Sequence, residues 1–305
     1  MEQFLREQGI EERILESVRD FRQRYPAAQE SLSRIPRPKF RYYGPEIWRQ
    51  ALAGLLAGEN LLLVGPKATG KNVLAENLAA VFGRPEWDIS FYLNTDAASL
   101  IGTDTFRDGQ VRFRKGPVTQ CAEQGGFGIL DEINMAKNES LAVLHATLDF
   151  RRIIDVPGYE RICLSPSTRF IATMNYGYAG TRELNEALAS RFMVINMPII
   201  SEENLNRLLL EQFPSLRPEY AAQLAGLFGD IRKKCESSEI STKALDLRGL
   251  IAAISLTRQG LRLGQALELG ITNKSFDEFE RQLVADLISA RVRADLGAEQ
   301  LFGQL

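Results

Sequence analysis

The sequence predicts an α/β fold, in which helices flank a parallel sheet, followed by an all-helical region. Between about residues 40 and 199, short apolar runs alternate with helical periodicity, a pattern typical of a parallel sheet between helices (αβα). After Pro198 the apolar runs stop and helical spacing continues. The chain has 305 residues, 45% of them hydrophobic and 25% charged, so it can bury ordinary cores. We expect an N-terminal helical segment and linker at 1–39, an α/β core at 40–199 and a helical domain at 200–305.

The N-terminal segment is predicted to be helical because residues 1 to about 33 are charged and amphipathic. The positions expected to face inward are Phe4, Ile10, Ile14, Val18 and Phe21. Two prolines within residues 35–38 resist helix formation and mark a linker. Pro45 suits the first turn of a helix that we expect to run to Gly58.

The strands of the sheet are expected where short apolar runs end in turns or polar residues. They cover residues 60–64, 88–93, 127–132, 169–175 and 192–197. Two further segments predict inserted β-hairpins: residues 105–113 turn at Asp108-Gly109, and residues 152–162 turn at Pro157-Gly158.

Composition and charge argue against several classes of protein. The formal net charge of −2 gives no global positive field that would favour nucleic acid. The three cysteines, Cys121, Cys163 and Cys235, match no zinc-binding spacing, even with the single His145, which we expect to pack in a helix. Reduced thiols and a cytoplasmic location are therefore expected. The N-terminal residues are not those of a signal peptide, and no apolar run is long enough to span a membrane.

The strongest chemical signal is a glycine-rich segment between a predicted strand and a predicted helix at residues 73–82. Its residues, which we expect to bind nucleotide together with Asn72 and Val73, are Gly65, Pro66, Lys67, Ala68, Thr69, Gly70 and Lys71. The backbone N–H groups of such a turn and the helix N-terminus surround phosphate oxygens, and Lys71 can reach the outer phosphates. The segment therefore predicts a phosphate-binding P-loop.

One position departs from the P-loop pattern. The motif has Ser or Thr after the lysine, where its hydroxyl holds Mg²⁺, whereas this chain has Asn72. An amide oxygen can also ligate Mg²⁺, but it does not reproduce the compact geometry of a hydroxyl. We expect nucleotide binding to be retained, and the question left open concerns Mg²⁺ affinity and turnover.

Polar residues end two later predicted strands of the core, those at residues 127–132 and 169–175. Asp131 is suited to hold Mg²⁺, and Glu132 to polarise the water that attacks the γ-phosphate. Asn175 could orient that water or contact the γ-phosphate. The alternative roles are ordinary ones: two acids solvating a strand end or capping a helix, and an asparagine forming a turn.

Three basic residues are further candidates for contact with a nucleotide. Arg191 lies directly before the predicted strand at residues 192–197, and arginine suits the stabilisation of phosphoryl charge in a transition state. Arg248 and Lys243, in the helical region, could reach a nucleotide from above. For all three, ordinary surface charge is the alternative.

Taken together, these segments resemble AAA+ ATPases of the MoxR branch, and most closely its NorQ/CbbQ and dynein-related subgroup. The similarity covers roughly residues 40–300 and depends on residues 65–71, 129–134, 172–175 and 186–192. Both predicted hairpins also fall where that branch has its inserts. The resemblance implies an AAA+ P-loop core with a helical lid, ATP and Mg²⁺ as cofactors, and assembly into a hexameric ring.

The resemblance also implies roles for individual residues. Lys71 would contact the β- and γ-phosphates, Asp131 and Glu132 would be the Walker B pair, and Asn175 would be sensor 1. Arg191 is similar to the arginine finger that such proteins supply to a neighbouring subunit. Arg248 corresponds best to sensor 2, with Lys243 as the competing candidate.

The function implied by the resemblance is ATP-driven, chaperone-like remodelling or activation of a client protein, together with a partner that carries a von Willebrand factor A domain. Two alternatives remain open. One is a nucleotide-dependent binding module with little turnover. The other is a nucleic-acid motor, for which the basic cluster Arg107, Arg112, Arg114 and Lys115 is the argument. A preference for GTP is also open.

Overall fold

The computed structural model describes residues 1–107, 109–176 and 182–303, and for Arg107 the backbone alone. Asp108 of the first predicted turn lies outside the described residues. The chain divides into two compact units. The first contains Met1–Pro66 and Gly70–Pro198, and the second contains Lys67–Thr69 and Ile199–Leu305.

A five-stranded parallel sheet forms the centre of the first unit, which confirms the predicted α/β class. Its strands are β1 (Leu61–Val64), β2 (Glu86–Ser90), β5 (Phe127–Asp131), β8 (Arg169–Met174) and β9 (Met193–Asn196). Their order across the sheet is β2-β5-β8-β1-β9, and every neighbouring pair is parallel. The carboxyl ends of β1, β5 and β8 are therefore neighbours at one edge.

Strand β2 differs from the prediction because it begins at Glu86 and ends at Ser90 instead of covering residues 88–93. A turn ends the strand early. The backbone N–H of Thr95 donates to the carbonyl of Tyr92 at 2.9 Å, and the Thr95 hydroxyl accepts from the Tyr92 N–H at 2.9 Å. Tyr92 and Leu93 are accordingly exposed.

Helices cover both faces of the sheet in the first unit. They are α1 (Glu2–Glu7), α2 (Glu12–Arg24), α3 (Pro45–Ala57), α4 (Lys71–Phe82), α5 (Ala97–Ile101), α6 (Pro117–Glu123), α7 (Asn138–Leu141), α8 (His145–Leu148) and α9 (Glu186–Ala189). Helices α2, α3 and α4 share one apolar core with the sheet, and α5, α6 and α8 share the other. Of the five predicted inward positions, only Ile14 is partly exposed, and Leu15 is buried beside it.

The two predicted hairpins are present and touch each other. The first consists of β3 (Gly102–Arg107) and β4 (Gln110–Lys115), and the second of β6 (Ile153–Ile154) and β7 (Ile162–Cys163). The Tyr159 hydroxyl donates to Asp104 at 2.6 Å, and the Tyr159 ring lies 5.1 Å from that of Phe113. In the basic cluster, Lys115 forms a salt bridge with Glu123 at 2.7 Å.

The second unit is helical from α10 onward, in the part of it that the structure describes. Its helices are α10 (Glu202–Gln212), α11 (Pro218–Glu236), α12 (Leu247–Arg258), α13 (Leu263–Gly270), α14 (Glu278–Arg291) and α15 (Ala298–Phe302). Helices α12 and α13 pack backbone to backbone, because a Cβ placed on Gly249 would lie 1.9 Å from the carbonyl oxygen of Gly270.

The thiols of Cys121, Cys163 and Cys235 are free. Within the three described stretches of chain, no helix is long and apolar enough to cross a bilayer. The same stretches contain no group of three or more His, Cys, Asp or Glu side chains placed to bind a metal ion.

Candidate functional site

The P-loop connects β1 to α4 through a turn that uses left-handed backbone conformations. Ala68 has φ of +62° and Gly70 has φ of +77°. Glycine suits this second position because the left-handed region is unfavourable for residues with a Cβ, and a Cβ on Gly70 would also lie 3.2 Å from the ring of Tyr42. Helix α4 begins directly afterwards at Lys71, so its first backbone N–H groups lie at the turn.

Lys71 lies folded against the P-loop and is 7% exposed. Its ammonium group donates to the carbonyls of Gly65 and Pro66, each at 2.8 Å. Burial lowers the pKa of Lys71 to about 8, while the negative charges of Asp131 and Glu132 act in the opposite direction. The Lys71 amine is therefore a buried cation, and an anion bound beside it would favour its protonated form.

The two acids at the end of β5 are joined through Thr173 of β8. The Thr173 hydroxyl donates to Oδ1 of Asp131 at 2.6 Å and accepts from the backbone N–H of Glu132 at 3.0 Å. Glu132 has φ of +54°, a left-handed conformation that turns its side chain away from the strand direction. The structure thus brings Asp131 and Glu132 together at the sheet edge that also carries the P-loop.

Asn175, one residue beyond β8, completes this cluster. Its amide nitrogen donates to Oε1 of Glu132 at 3.0 Å. Asn134, which is 2% exposed, in turn donates to the backbone carbonyl of Asn175 at 2.8 Å and to that of Arg182 at 3.4 Å. The predicted sensor residue and the predicted base are therefore in direct contact, and a buried asparagine supports them.

The carboxylate at this edge has the kind of oxygen atom that Mg²⁺ prefers. One carboxylate oxygen of Asp131 accepts from Thr173, and the other has no hydrogen bond within the described stretches. Asn72 is exposed on the first turn of α4, and Val73 beside it is half-buried. Mg²⁺ is commonly held by one or two protein oxygens and completes its shell with phosphate and water, so the carboxylate of Asp131 fits it, and the side-chain amide of Asn72 offers a second candidate oxygen.

Arg191 lies between α9 and β9 and is held by groups of its own chain. Its Nε donates to the carbonyl of His145 at 3.1 Å, another nitrogen donates to the carbonyl of Ala187, and its Nη2 lies 3.5 Å from Asp149. Its side chain is 20% exposed. Among its contacts within the described residues, none is with Lys71, Asp131 or Glu132, so the structure places Arg191 apart from that cluster.

Arg248 and Lys243 belong to the second unit. Arg248 is exposed in the first turn of α12, where its backbone N–H donates to Asp246 at 3.0 Å. Lys243 is exposed, and its ammonium lies 5.7 Å from the ring centroid of Phe276.

Sequence reasoning missed three residues that shape the site: Thr173, Asn134 and Tyr42. The signal for Tyr42 was Asn77, a polar residue on the buried face of α4. The Asn77 amide donates to the carbonyl of Phe40 at 2.8 Å and its oxygen accepts from the N–H of Tyr42 at 3.3 Å, which fixes the chain beside the P-loop. Thr173 and Asn134 gave weaker signals, as polar residues within or directly after apolar strands.

Comparison with known proteins covers this same region. A family model described as the AAA domain of the dynein-related subfamily matches residues 60–192. The uncharacterized protein YojN of Bacillus subtilis (strain 168) is 34% identical over 242 residues, which are 78% of this chain and 79% of that protein. The uncharacterized protein SH1500 of Staphylococcus haemolyticus is 32% identical over 248 residues, 79% of this chain and 94% of its own length. The uncharacterized protein SAUSA300_1302 of Staphylococcus aureus (strain USA300) is 33% identical over a stretch of the same length.

Proposed function

Because the chain belongs to the AAA-domain proteins of the dynein-related subfamily, we propose that it binds ATP with Mg²⁺ and hydrolyses it to ADP and phosphate. The finer assignment is to the MoxR branch. In this assignment, a hexameric ring in the cytoplasm uses hydrolysis to remodel or activate a client protein, together with a partner that carries a von Willebrand A domain.

One observation supports hydrolysis more than any other: the hydrogen-bonded cluster of Asp131, Thr173, Glu132 and Asn175 at the sheet edge next to Lys71. A P-loop by itself supports phosphate binding alone. A carboxylate held by an amide donor supplies the group that a hydrolytic reaction also needs.

Each residue then has a chemical role. The turn at residues 65–71 and the N-terminus of α4 bind the phosphates, and Lys71 adds a positive charge. Glu132 accepts the proton of a water whose oxygen bonds to the γ-phosphorus, while the bond from that phosphorus to the β–γ bridging oxygen breaks. Asn175 holds the Glu132 carboxylate in place for that transfer.

Asp131, with Asn72 as a second candidate ligand, would hold Mg²⁺, which would neutralise phosphate charge when bound. Arg191 is proposed to serve the nucleotide of a neighbouring subunit, where a guanidinium stabilises phosphoryl charge. Arg248, with Lys243 as the alternative, is proposed to contact the nucleotide from the helical unit. Because Arg191 would act across subunits, turnover should require assembly.

The test is steady-state ATP hydrolysis over a range of protein concentrations, with ADP affinity measured in parallel. Specific activity should rise with concentration, and Glu132→Gln should lower turnover about 10³-fold while leaving ADP affinity within a few-fold. Glu139→Gln, which changes an exposed acid on α7, is the matched control and should behave like the wild type. Arg191→Ala should abolish the rise with concentration. Undetectable hydrolysis at every concentration would contradict the proposal.

Asn72 favours a second candidate, a nucleotide-dependent binding module with little turnover. If the amide holds Mg²⁺ poorly, ATP binds and persists. Replacing Asn72 by Thr supplies the hydroxyl that the motif has at this position. Tight ATP binding with no measurable turnover in the wild type, and turnover gained in Asn72→Thr, would establish the binding module. Similar turnover in both proteins would exclude it.

A further inference from the structure

We propose that Thr173 is a positioning residue for hydrolysis, because its single hydroxyl group fixes both acids of the site at once. This role requires that the chain hydrolyses ATP as proposed above. Thr173 itself contacts Asp131 and Glu132 and acts through them.

The place of Thr173 in the sheet explains why it can reach both acids. Along β8 it follows Ile171 on the face that packs against α4, where Ile171 shares an apolar core with Ile129 and Leu63. In the parallel pairing of β5 with β8, Ile129 lies opposite Ile171, so Thr173 lies beside Asp131. A row of apolar side chains thus ends in a threonine and an aspartate, and Thr173 is only 1% exposed.

Proton counting fixes the direction of both hydrogen bonds. The backbone N–H of Glu132 can only donate, so the Thr173 oxygen accepts there. The single hydroxyl proton is then left for the Asp131 carboxylate, and the 2.6 Å distance is typical of a hydroxyl donating to an anion. Both hydrogen bonds therefore depend on one oxygen atom, and a side chain without a hydroxyl loses both together.

Each hydrogen bond controls one acid. The first occupies Oδ1 of Asp131 and fixes the rotation of its carboxylate, which leaves Oδ2 for other ligands. The second holds the peptide N–H of Glu132 in a backbone conformation that side chains with a Cβ rarely adopt. That conformation directs the Glu132 carboxylate to the amide of Asn175. Thr173 thus couples the candidate Mg²⁺ ligand to the candidate base.

The decisive variants are Thr173→Val, which keeps the shape and removes the hydroxyl, and Thr173→Ser, which keeps the hydroxyl. Thr119→Val is the matched control, because Thr119 is also fully buried and its hydroxyl donates to the carbonyl of Ile101 at 2.7 Å. A steady-state assay measures turnover. Calorimetry measures ADP affinity with and without Mg²⁺, and thermal unfolding tests whether each variant folds.

We expect Thr173→Val to lower kcat about 100-fold, the order of effect of a small misplacement of a catalytic group. Its ADP affinity without Mg²⁺ should stay within about threefold of the wild type, because the P-loop is unchanged. The increase in ADP affinity produced by Mg²⁺ should become smaller. Thr173→Ser should recover most of the turnover, and Thr119→Val should keep both turnover and the Mg²⁺ effect even if its melting temperature falls.

The role of Thr173 would be overturned by a kcat for Thr173→Val close to that of an active wild type, or by a Thr173→Ser variant as impaired as Thr173→Val. An equal loss of turnover in Thr119→Val would also overturn it, because general destabilisation would then explain the effect. If Thr173→Val does not fold, the comparison of Thr173→Ser with the wild type decides: loss of the Mg²⁺ effect in the serine variant contradicts the proposal, and its retention supports it. Failure of the proposed function looks different, because the wild type itself would then show no hydrolysis.

Discussion

Two groups of carboxylates, one at the end of β5 and the other on β2 and α4, have opposite surroundings. At the end of β5, Asp131 accepts a hydrogen bond from Thr173, and Glu132 accepts one from Asn175. On β2 and α4, Glu86 has Asp88 and Glu76 as neighbours, and one of its carboxylate oxygens is buried without a hydrogen-bond partner in the described structure. Burial, and then the nearby charges of Asp88 and Glu76, raise the pKa of Glu86 to about 8.

Acidic residues alone therefore do not indicate a functional site. The β5 pair has a hydroxyl and an amide that donate to its carboxylates and fix their orientation. An acid without donors shares its surroundings with other acids and holds its proton, at a cost to stability. Hydrogen-bond donors to the carboxylates therefore distinguish the candidate site on β5 from the acids on β2 and α4 better than the presence of acids does.

The largest expected effect concerns the donor to Glu132. Asn175→Ala removes the amide that holds the Glu132 carboxylate, so turnover should fall about 100-fold while ADP affinity changes little. The measurement is a steady-state assay alongside ADP titration. Asn94→Ala, at an exposed asparagine, should leave both values unchanged. Full activity in Asn175→Ala would contradict the importance of carboxylate donors, because Glu132 would then act without its donor.

A second effect concerns Lys71, on which the β5 acids act. Its pKa of about 8 in the free protein leaves it largely charged at pH 7 and largely neutral at pH 9. Bound phosphate favours the charged form, so ADP binding should take up little proton at pH 7 and most of one proton at pH 9. Calorimetry in buffers of different ionisation enthalpy measures this uptake.

The control for that measurement is Lys71→Arg, whose guanidinium stays charged at both pH values. When Lys71→Arg binds ADP, residue 71 should therefore take up no proton at either pH. Equal proton uptake by wild type and Lys71→Arg at pH 9 would show that another group titrates.

The smallest effect concerns the acids on β2 and α4. Because the pKa of Glu86 is raised from 4.5 to about 8, the folded chain keeps a proton that the unfolded chain has lost, and stability falls as pH rises through this window. Glu86→Gln should therefore raise the melting temperature by about 3 °C at pH 8.5 and change it little at pH 4.5. The exposed control Glu139→Gln should show no such dependence on pH. A melting temperature that Glu86→Gln lowers at pH 8.5 would mean that this acid is stabilised after all.

The sequence alone predicts those parts of the fold and of the candidate site whose residues are adjacent in the chain. The turn at residues 65–71 and the polar ends of β5 and β8 are readable because a strand, its last residue and the following turn are adjacent in the chain. The roles of Thr173 and Asn134 depend on how β5 and β8 are aligned, a contact between residues 42 positions apart in the case of Thr173 and Asp131. The predicted second strand extends three residues too far, because Tyr92 and Leu93 favour a strand, whereas the hydroxyl of Thr95 closes a turn there.

The contact between the two hairpins has a mechanical consequence. The first hairpin continues through α6 into β5, and the second continues through a short connection into β8. Since Tyr159 ties the second hairpin to Asp104 of the first, these two strands are joined at the hairpins as well as along the sheet. A displacement of either hairpin would therefore exert force on β5 and β8 together. Glu132 and Asn175 directly follow the carboxyl ends of these two strands.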